Sequence, residues 1–215
     1  MKCKKVLAIG SASQLGECGM RKLPQGVSWS FAQEVSTDLF PLDADAVFIL
    51  DEIAVKSFPY HLLDSETLVF VNDVTGTLSA YGSNLSIIRL NAWPGFTGGP
   101  LLELSGTVTM REKADAFLDE LSWAREWVPD IPGLLRPRVL AMIINEACFA
   151  LAEAVSSREE IDTAMKLGTN YPFGPFEWAA RIGPERIHNL LEVLSRDDER
   201  YKPAPGMLQL LHQTT

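Results

Sequence analysis

The sequence predicts an α/β domain built on a parallel sheet, followed by an all-α domain, and three observations carry that reading. Short, continuous apolar runs bounded by turn residues fill the first part of the chain, as buried parallel strands do. Pro129, Pro132 and Gly133 then interrupt every periodic pattern. From Pro137 onward, apolar residues recur almost entirely at helical spacing. The expected domains are residues 1–131 and 132–215.

Taken in order, Lys5 to Ile9 is a compact strand running into Gly10, and Val27 to Phe31 is a second strand after Gly26. Ala46 to Leu50 and Thr67 to Val71 are two more, and Leu85 to Leu90 and Leu101 to Leu104 add further candidates. A helix is expected from Met110 to Trp127, with Thr109 as its cap and Glu112 at capping-box spacing. Phe117, Leu118, Leu121 and Ala124 fall on one of its faces.

Beyond the break, Val139, Met142, Ile143, Ala147, Ala150, Leu151 and Ala154 repeat at helical spacing. Leu140, Ile144 and Cys148 make the other side apolar too, so this helix belongs in a core or a subunit interface. Ser157 with Glu160 forms a capping box, and Gly168 is the expected left-handed stop. Gly174-Pro175 opens a third helix that Gly183 ends, and Pro184 opens a fourth that runs to about Arg196.

Composition narrows the function classes. Of 215 residues, 47% are apolar and 22% charged, as in ordinary globular proteins, and the net charge is −9. An acidic chain without a basic stripe is repelled by nucleic acid and by anionic membrane surfaces, so neither is an expected partner. The apolar run Val6 to Ile9 is too brief for a signal-peptide core, and no run approaches the ~18 residues of a membrane span. Cys3, Cys18 and Cys148 lie far apart, without the paired spacing of zinc or redox motifs. Lone thiols of this kind suit a reducing cytoplasm.

The stretch Pro132-Gly133-Leu134 through Arg138, the segment Ile144 to Trp178 and the segment Glu199 to Leu208 together resemble 3-hydroxyacyl-CoA dehydrogenase. The run Glu159 to Glu177 is the most specific part: a short helix, a glycine stop, an aromatic-proline turn and a Gly-Pro-Phe-Glu helix start, in the family's order. The resemblance implies an abbreviated Rossmann-like domain followed by the family's helical C-terminal domain. It also implies NAD as cofactor, an acyl-CoA or related small molecule as ligand, and a homodimer formed through the C-terminal helices. The family's reaction is NAD-dependent oxidation of 3-hydroxyacyl-CoA to 3-oxoacyl-CoA, a step of fatty acid metabolism.

The first domain resembles the family's nucleotide-binding domain less closely. A dinucleotide loop needs glycines for a tight turn, for close approach of the pyrophosphate and for helix packing. The turn Gly10-Ser11-Ala12-Ser13-Gln14-Leu15-Gly16 keeps the first glycine, but Ala12 and Leu15 stand where the others belong. Gly10, Ser11 and Ala12 are the candidate phosphate contacts. The ribose-binding acid falls on Gln33, with Glu34 next door as the candidate. Read without the resemblance, the segment is a plain strand, turn and helix. The family's long helical excursion after the second strand, which helps bind coenzyme A, is missing between Val35 and Asp43.

In the family a histidine takes the hydroxyl proton, a glutamate orients it, and a serine and an asparagine hold the substrate oxygen. Leu101-Leu102-Glu103-Leu104 resembles the glutamate-bearing strand, so Glu103 is the retained carboxylate, or simply a structural residue. Counting back places the histidine's position at Asn91, an amide that cannot take a proton near neutral pH. Thr77, in the turn Val74 to Leu78, can stand in for the serine, and the asparagine's position falls on Pro137. His61, His188 and His212 are expected to be surface or satisfied core residues. Three readings follow. The first is a family dehydrogenase that acts on a 3-hydroxyacyl-CoA, or on a different acyl substrate with relaxed cofactor needs, with catalysis expected to be impaired or lost; the second is a non-catalytic dimer that binds an acyl ligand or a partner protein. The third is a different cofactor-dependent reaction built on Glu103, Thr77 and Asn91.

Overall fold

The structure, a computed structural model, describes residues 4–22, 24–36, 39–40, 42–81 and 86–212. Cys3 and Leu85 lie outside the described residues. The chain forms two compact units, residues 1–134 and 135–215.

The first unit is a seven-stranded sheet in the order β2-β1-β3-β4-β5-β6-β7. Its strands are β1 (Lys4–Ile9), β2 (Val27–Ala32), β3 (Ala46–Ile49), β4 (Leu68–Val71), β5 (Ile87–Leu90), β6 (Leu101–Ser105) and β7 (Ala124–Trp127). Strands β1 to β5 run parallel, as their apolar runs predict, and β3, β4 and β5 are buried at every position. Alternate residues feed two cores, one on each face of the sheet. Val6, Ala8, Phe48, Phe70, Ile88 and Leu90 face the core that includes Phe117, Leu118 and Trp123. Leu7, Ile9, Val47, Ile49, Val69 and Val71 face Ala54, Val55 and Phe58. Phe48 and Phe70 stack with ring centroids 4.3 Å apart, which locks the register of β3 against β4.

Helix α1 (Ala12–Gly19) crosses from β1 to β2, α2 (Glu52–Ser57) follows β3, and α3 (Val108–Glu120) follows β6. One expectation is corrected here. The helix expected over Met110 to Trp127 begins beyond Thr107, not Thr109, and ends at Glu120. Ser122 then takes the left-handed conformation at φ 57°, and Ala124–Trp127 leaves as an edge strand parallel to β6. Its alternating exposure is the strand period, which the helical reading of Ala124 overlooked. The sheet is also not wholly parallel, because β6 runs antiparallel to β5.

The buried guanidinium of Arg89 ties the last part of this unit together. Its Nε donates to Asp73 O at 2.9 Å, and Nη1 donates to the Asp130 carboxylate at 2.6 Å. Weaker bonds reach Val74 O and Ile131 O.

The second unit is helical: α4 (Arg136–Ala152), α5 (Arg158–Thr169), α6 (Pro175–Ile182), α7 (Pro184–Ser195) and α8 (Met207–His212). Leu140, Ala141, Ile144, Ala147 and Cys148 form the buried stripe of α4, against which α6, α7 and α8 pack. Val139, on another face of α4, stays 46% exposed. Buried Asn145 donates to Lys202 O at 2.9 Å and accepts from Ala204 N at 2.8 Å, which fastens the segment after α7 to α4.

The Ser157–Glu160 capping box forms in both directions, and Gly183 closes α6 at φ 104°. The left-handed stop of α5 is Asn170 (φ 56°) rather than Gly168, because the helix runs on through Thr169. Asp162 on α5 accepts from the backbone N–H groups of Phe176 and Glu177 at 2.8 and 3.2 Å, so one helix caps the next. A Cβ at Gly174 would fall 2.3 Å from the Asp162 carboxyl carbon, so only glycine fits there. Among the described residues no helix is long and apolar enough to cross a membrane.

Replacing Arg89 with Met leaves Asp73 O without this donor and takes the charge partner from Asp130, which keeps Leu78 N, and is expected to destabilise the chain by about 1–3 kcal/mol in urea unfolding. A loss under about 1 kcal/mol would show that the guanidinium is dispensable. Gly174→Ala is expected to cost about 1–3 kcal/mol by displacing Asp162 from its cap. Calorimetry showing an unchanged Tm would refute that role.

Candidate active site

The end of β5 meets β6 at the two residues the sequence places in the catalytic positions. Asn91 N continues the ladder to Glu103 O at 3.1 Å, and the side-chain amide donates to Glu103 Oε2 at 3.2 Å. The amide oxygen accepts Trp93 N at 3.2 Å, which fixes the orientation of the group. Asn91 and Glu103 are each 2% exposed. This pair can hold a shape and share hydrogen bonds, and the Asn91 amide offers no site that takes up a proton near neutrality.

Thr77 lies in the loop after β4, where Asp73 organises the turn. The Asp73 carboxylate accepts from Gly76 N and from the Tyr81 hydroxyl, both at 2.9 Å. Gly76 is required, since a Cβ there would sit 2.2 Å from the Asp73 carboxylate. The Thr77 hydroxyl is 2.7 Å from the Ser79 hydroxyl, so its hydrogen bond serves its own loop rather than the Asn91–Glu103 pair. Burial, and then the Asp73 charge, push the Tyr60 and Tyr81 phenols above their ordinary range, so neither supplies a phenolate base. Pro137 is buried in the first turn of α4 and offers no donor.

Gly10, Ser11 and Ala12 do meet at the turn between β1 and α1. Gly10 packs against Leu50, where an added Cβ would come within 3.0 Å of the Leu50 Cβ. Ser11 caps α1 in a full capping box, with Gln14 Oε1 accepting from Ser11 N at 3.1 Å. Ala12 is exposed, and Glu34 is exposed just beyond β2.

The crevice beside this turn is crossed by side chains. Gln14 Nε2 donates to Leu50 O at 2.6 Å and to Ala92 O at 3.3 Å. Asn72 Nδ2 donates to the same Leu50 O at 2.8 Å, while its oxygen accepts Ala92 N at 3.0 Å. Trp93 is fully buried, and its indole N–H donates to Glu52 at 3.1 Å. A dinucleotide would need the backbone donors of the turn and the space above the strand ends, and Gln14 takes both Ser11 N and part of that space. The residues present do not fit the cofactor.

Sequence reasoning missed Gln14, Asn72, Trp93 and Arg89. Only Gln14 left a signal, because Ser11-x-x-Gln14 has capping-box spacing. His61 is exposed in the short turn Tyr60–Leu62, while His188 and His212 belong to the second unit, beside Glu192 and Glu185. A groove of roughly 590 Å³ opens at the opposite, amino ends of the strands. Its charges pair across it, as in Lys4–Glu120 at 2.6 Å, so it is a poor candidate for chemistry.

Residues 133–214 match the family model for the C-terminal domain of 3-hydroxyacyl-CoA dehydrogenase. The 3-hydroxyadipyl-CoA dehydrogenase of Escherichia coli is 53% identical over 99 residues, 45% of this chain, which spans only 21% of that protein's length. The 3-hydroxybutyryl-CoA dehydrogenase of Clostridioides difficile is 30% identical over 192 residues, covering 81% of this chain and 67% of its own. In fold, the (S)-3-hydroxybutyryl-CoA dehydrogenase of Ralstonia eutropha superposes with a TM-score of 0.70 at 20% identity, over 98% of this chain and 94% of its own. The two-unit architecture and these similarities converge: the chain belongs to the 3-hydroxyacyl-CoA dehydrogenase family.

Proposed function

We propose that this chain is a family member in which the oxidation of 3-hydroxyacyl-CoA is impaired or lost. The observation that carries this reading is the hydrogen bond from the Asn91 amide to Glu103. Oxidising a secondary alcohol releases a proton from its hydroxyl, and a base must receive it as the hydride leaves. An amide cannot do so, and loss of a positioned general base costs ~10²–10⁴ in rate. Glu103 does not replace it, because the carboxylate is buried and accepts the Asn91 amide's hydrogen bond.

A second reading is supported by the helical unit. Leu135 (53%), Val139 (46%), Val155 (70%) and Leu167 (83%) are large apolar residues left in water. A second copy of the chain or a partner protein seated on these helices would take such side chains out of water. In this reading the chain is a dimeric module in the cytoplasm that binds an acyl ligand, an acyl-CoA or a related small molecule, or a partner protein.

Purified chain mixed with acetoacetyl-CoA and NADH is expected to consume no NADH above the blank; brisk consumption would overturn the first reading. Light scattering is expected to give a dimer mass, and Val139→Glu with Leu167→Glu is expected to give a monomer that keeps its helical signal. A wild-type monomer at micromolar concentration would remove the dimer from the second reading.

A further inference from the structure

We infer that the nucleotide crevice of the first unit is plugged by the chain's own Gln14 and Trp93, strapped in place by Glu17 and Arg21, and admits no dinucleotide. In open α/β sheets the ligand crevice lies outside the carboxyl ends of the strands, where the strand order reverses. Here β1 stands between β2 and β3, so the reversal falls at the ends of β1 and β3, beside Gly10 and Leu50. Gln14 spans this point. Its amide nitrogen binds the Leu50 and Ala92 carbonyls, and its oxygen accepts from Ser11 N and the Ser11 hydroxyl. With 2% of its surface exposed, Gln14 behaves as a core residue although it is polar. Trp93 follows Ala92 into the same region, and its bond to Glu52 reaches the first turn of α2 after β3.

The segment carrying Trp93 is fastened to α1 and the turn that follows it. Glu17 accepts from Gly95 N at 2.9 and 3.0 Å and from the Thr97 hydroxyl at 2.8 Å. Arg21 donates to Thr97 O at 2.7 Å and Gly99 O at 2.6 Å, and its guanidinium lies over the Trp123 ring. A charged residue at each end of the strap makes charge-assisted bonds, stronger than neutral ones. Ligand entry would have to break several of these bonds at once and expel an indole from the core.

This inference stands apart from the reading of Asn91, because a chain could bind NADH and still lack a base. Calorimetric titration with NADH alone separates the two. The wild-type chain is expected to show no saturable heat up to millimolar NADH, and hydrogen exchange at residues 10–15 and 91–99 is expected to be the same with and without it. Saturable micromolar binding, or new protection at residues 10–15, would overturn the plug while leaving the loss of catalysis intact. Gln14→Ala combined with Trp93→Leu is expected to gain at least about tenfold in NADH affinity. A folded double variant with no gain would remove Gln14 and Trp93 as the cause, and if that variant fails to fold, the wild-type titration and exchange still decide.

Discussion

The carbonyl of Leu50 receives two amide donors, Gln14 Nε2 at 2.6 Å and Asn72 Nδ2 at 2.8 Å, and much of the first unit is arranged around it. A parallel sheet ends in a row of carbonyls that have run out of strand partners, and each one buried without a donor costs about 1–3 kcal/mol. A ligand-binding domain can leave some of that edge to water and ligand. Here side chains supply the donors. Gln14 draws α1 toward β3, Asn72 ties the end of β4 to Ala92, and Ala92 holds the start of the segment that carries Trp93. Asn91 is thereby fixed against Glu103.

The same bonds change what the site is. Gln14, Asn72, Asn91 and Glu103 are each at most 2% exposed, and every one is hydrogen-bonded. A fully satisfied buried network rigidifies its surroundings and works as part of the core. Catalytic groups need the opposite, unmet bonding capacity aimed at a substrate, and that requirement is often bought at the expense of stability. On the proposed reading, the carboxyl end of this sheet lies on the stable side of that balance.

The sequence revealed most where the cause is local. The strands β1, β3 and β4 show as apolar runs because both of their faces are buried, and the Ser157 and Gly174 helix starts show because caps involve neighbours in sequence. Asn91 and Glu103 were singled out by the family resemblance, and a short connection that returns β6 alongside β5 brings them together. The edge strand β7 was not legible, because Phe117, Leu118 and Leu121 sustain a helical period up to the left-handed turn at Ser122, which nothing in a serine announces. The reach of Gln14 to Ala92 and of Arg89 to Asp130 was hidden for another reason: both bonds join residues far apart in sequence, and Arg89 reads as an interruption in an apolar strand.

The strongest family likeness lies in the second unit, and the bonds there explain why it says little about activity. Within the run from Glu159 to Glu177, Asp162 caps α6, Gly174 makes room for that carboxylate, and Glu177 answers with bonds to Gly174 N at 2.8 Å and Lys166 at 2.6 Å. Each of these residues is specified by folding. A chain that kept this helical unit for stability or assembly would preserve the motif whether or not a proton is ever moved in the first unit. Glu103 follows the same logic: next to a histidine it would orient a base, whereas next to Asn91 it accepts the amide's hydrogen bond and keeps a buried donor satisfied. Retaining the glutamate is therefore evidence about packing at the β5–β6 junction. The chemistry turns on the residue it faces.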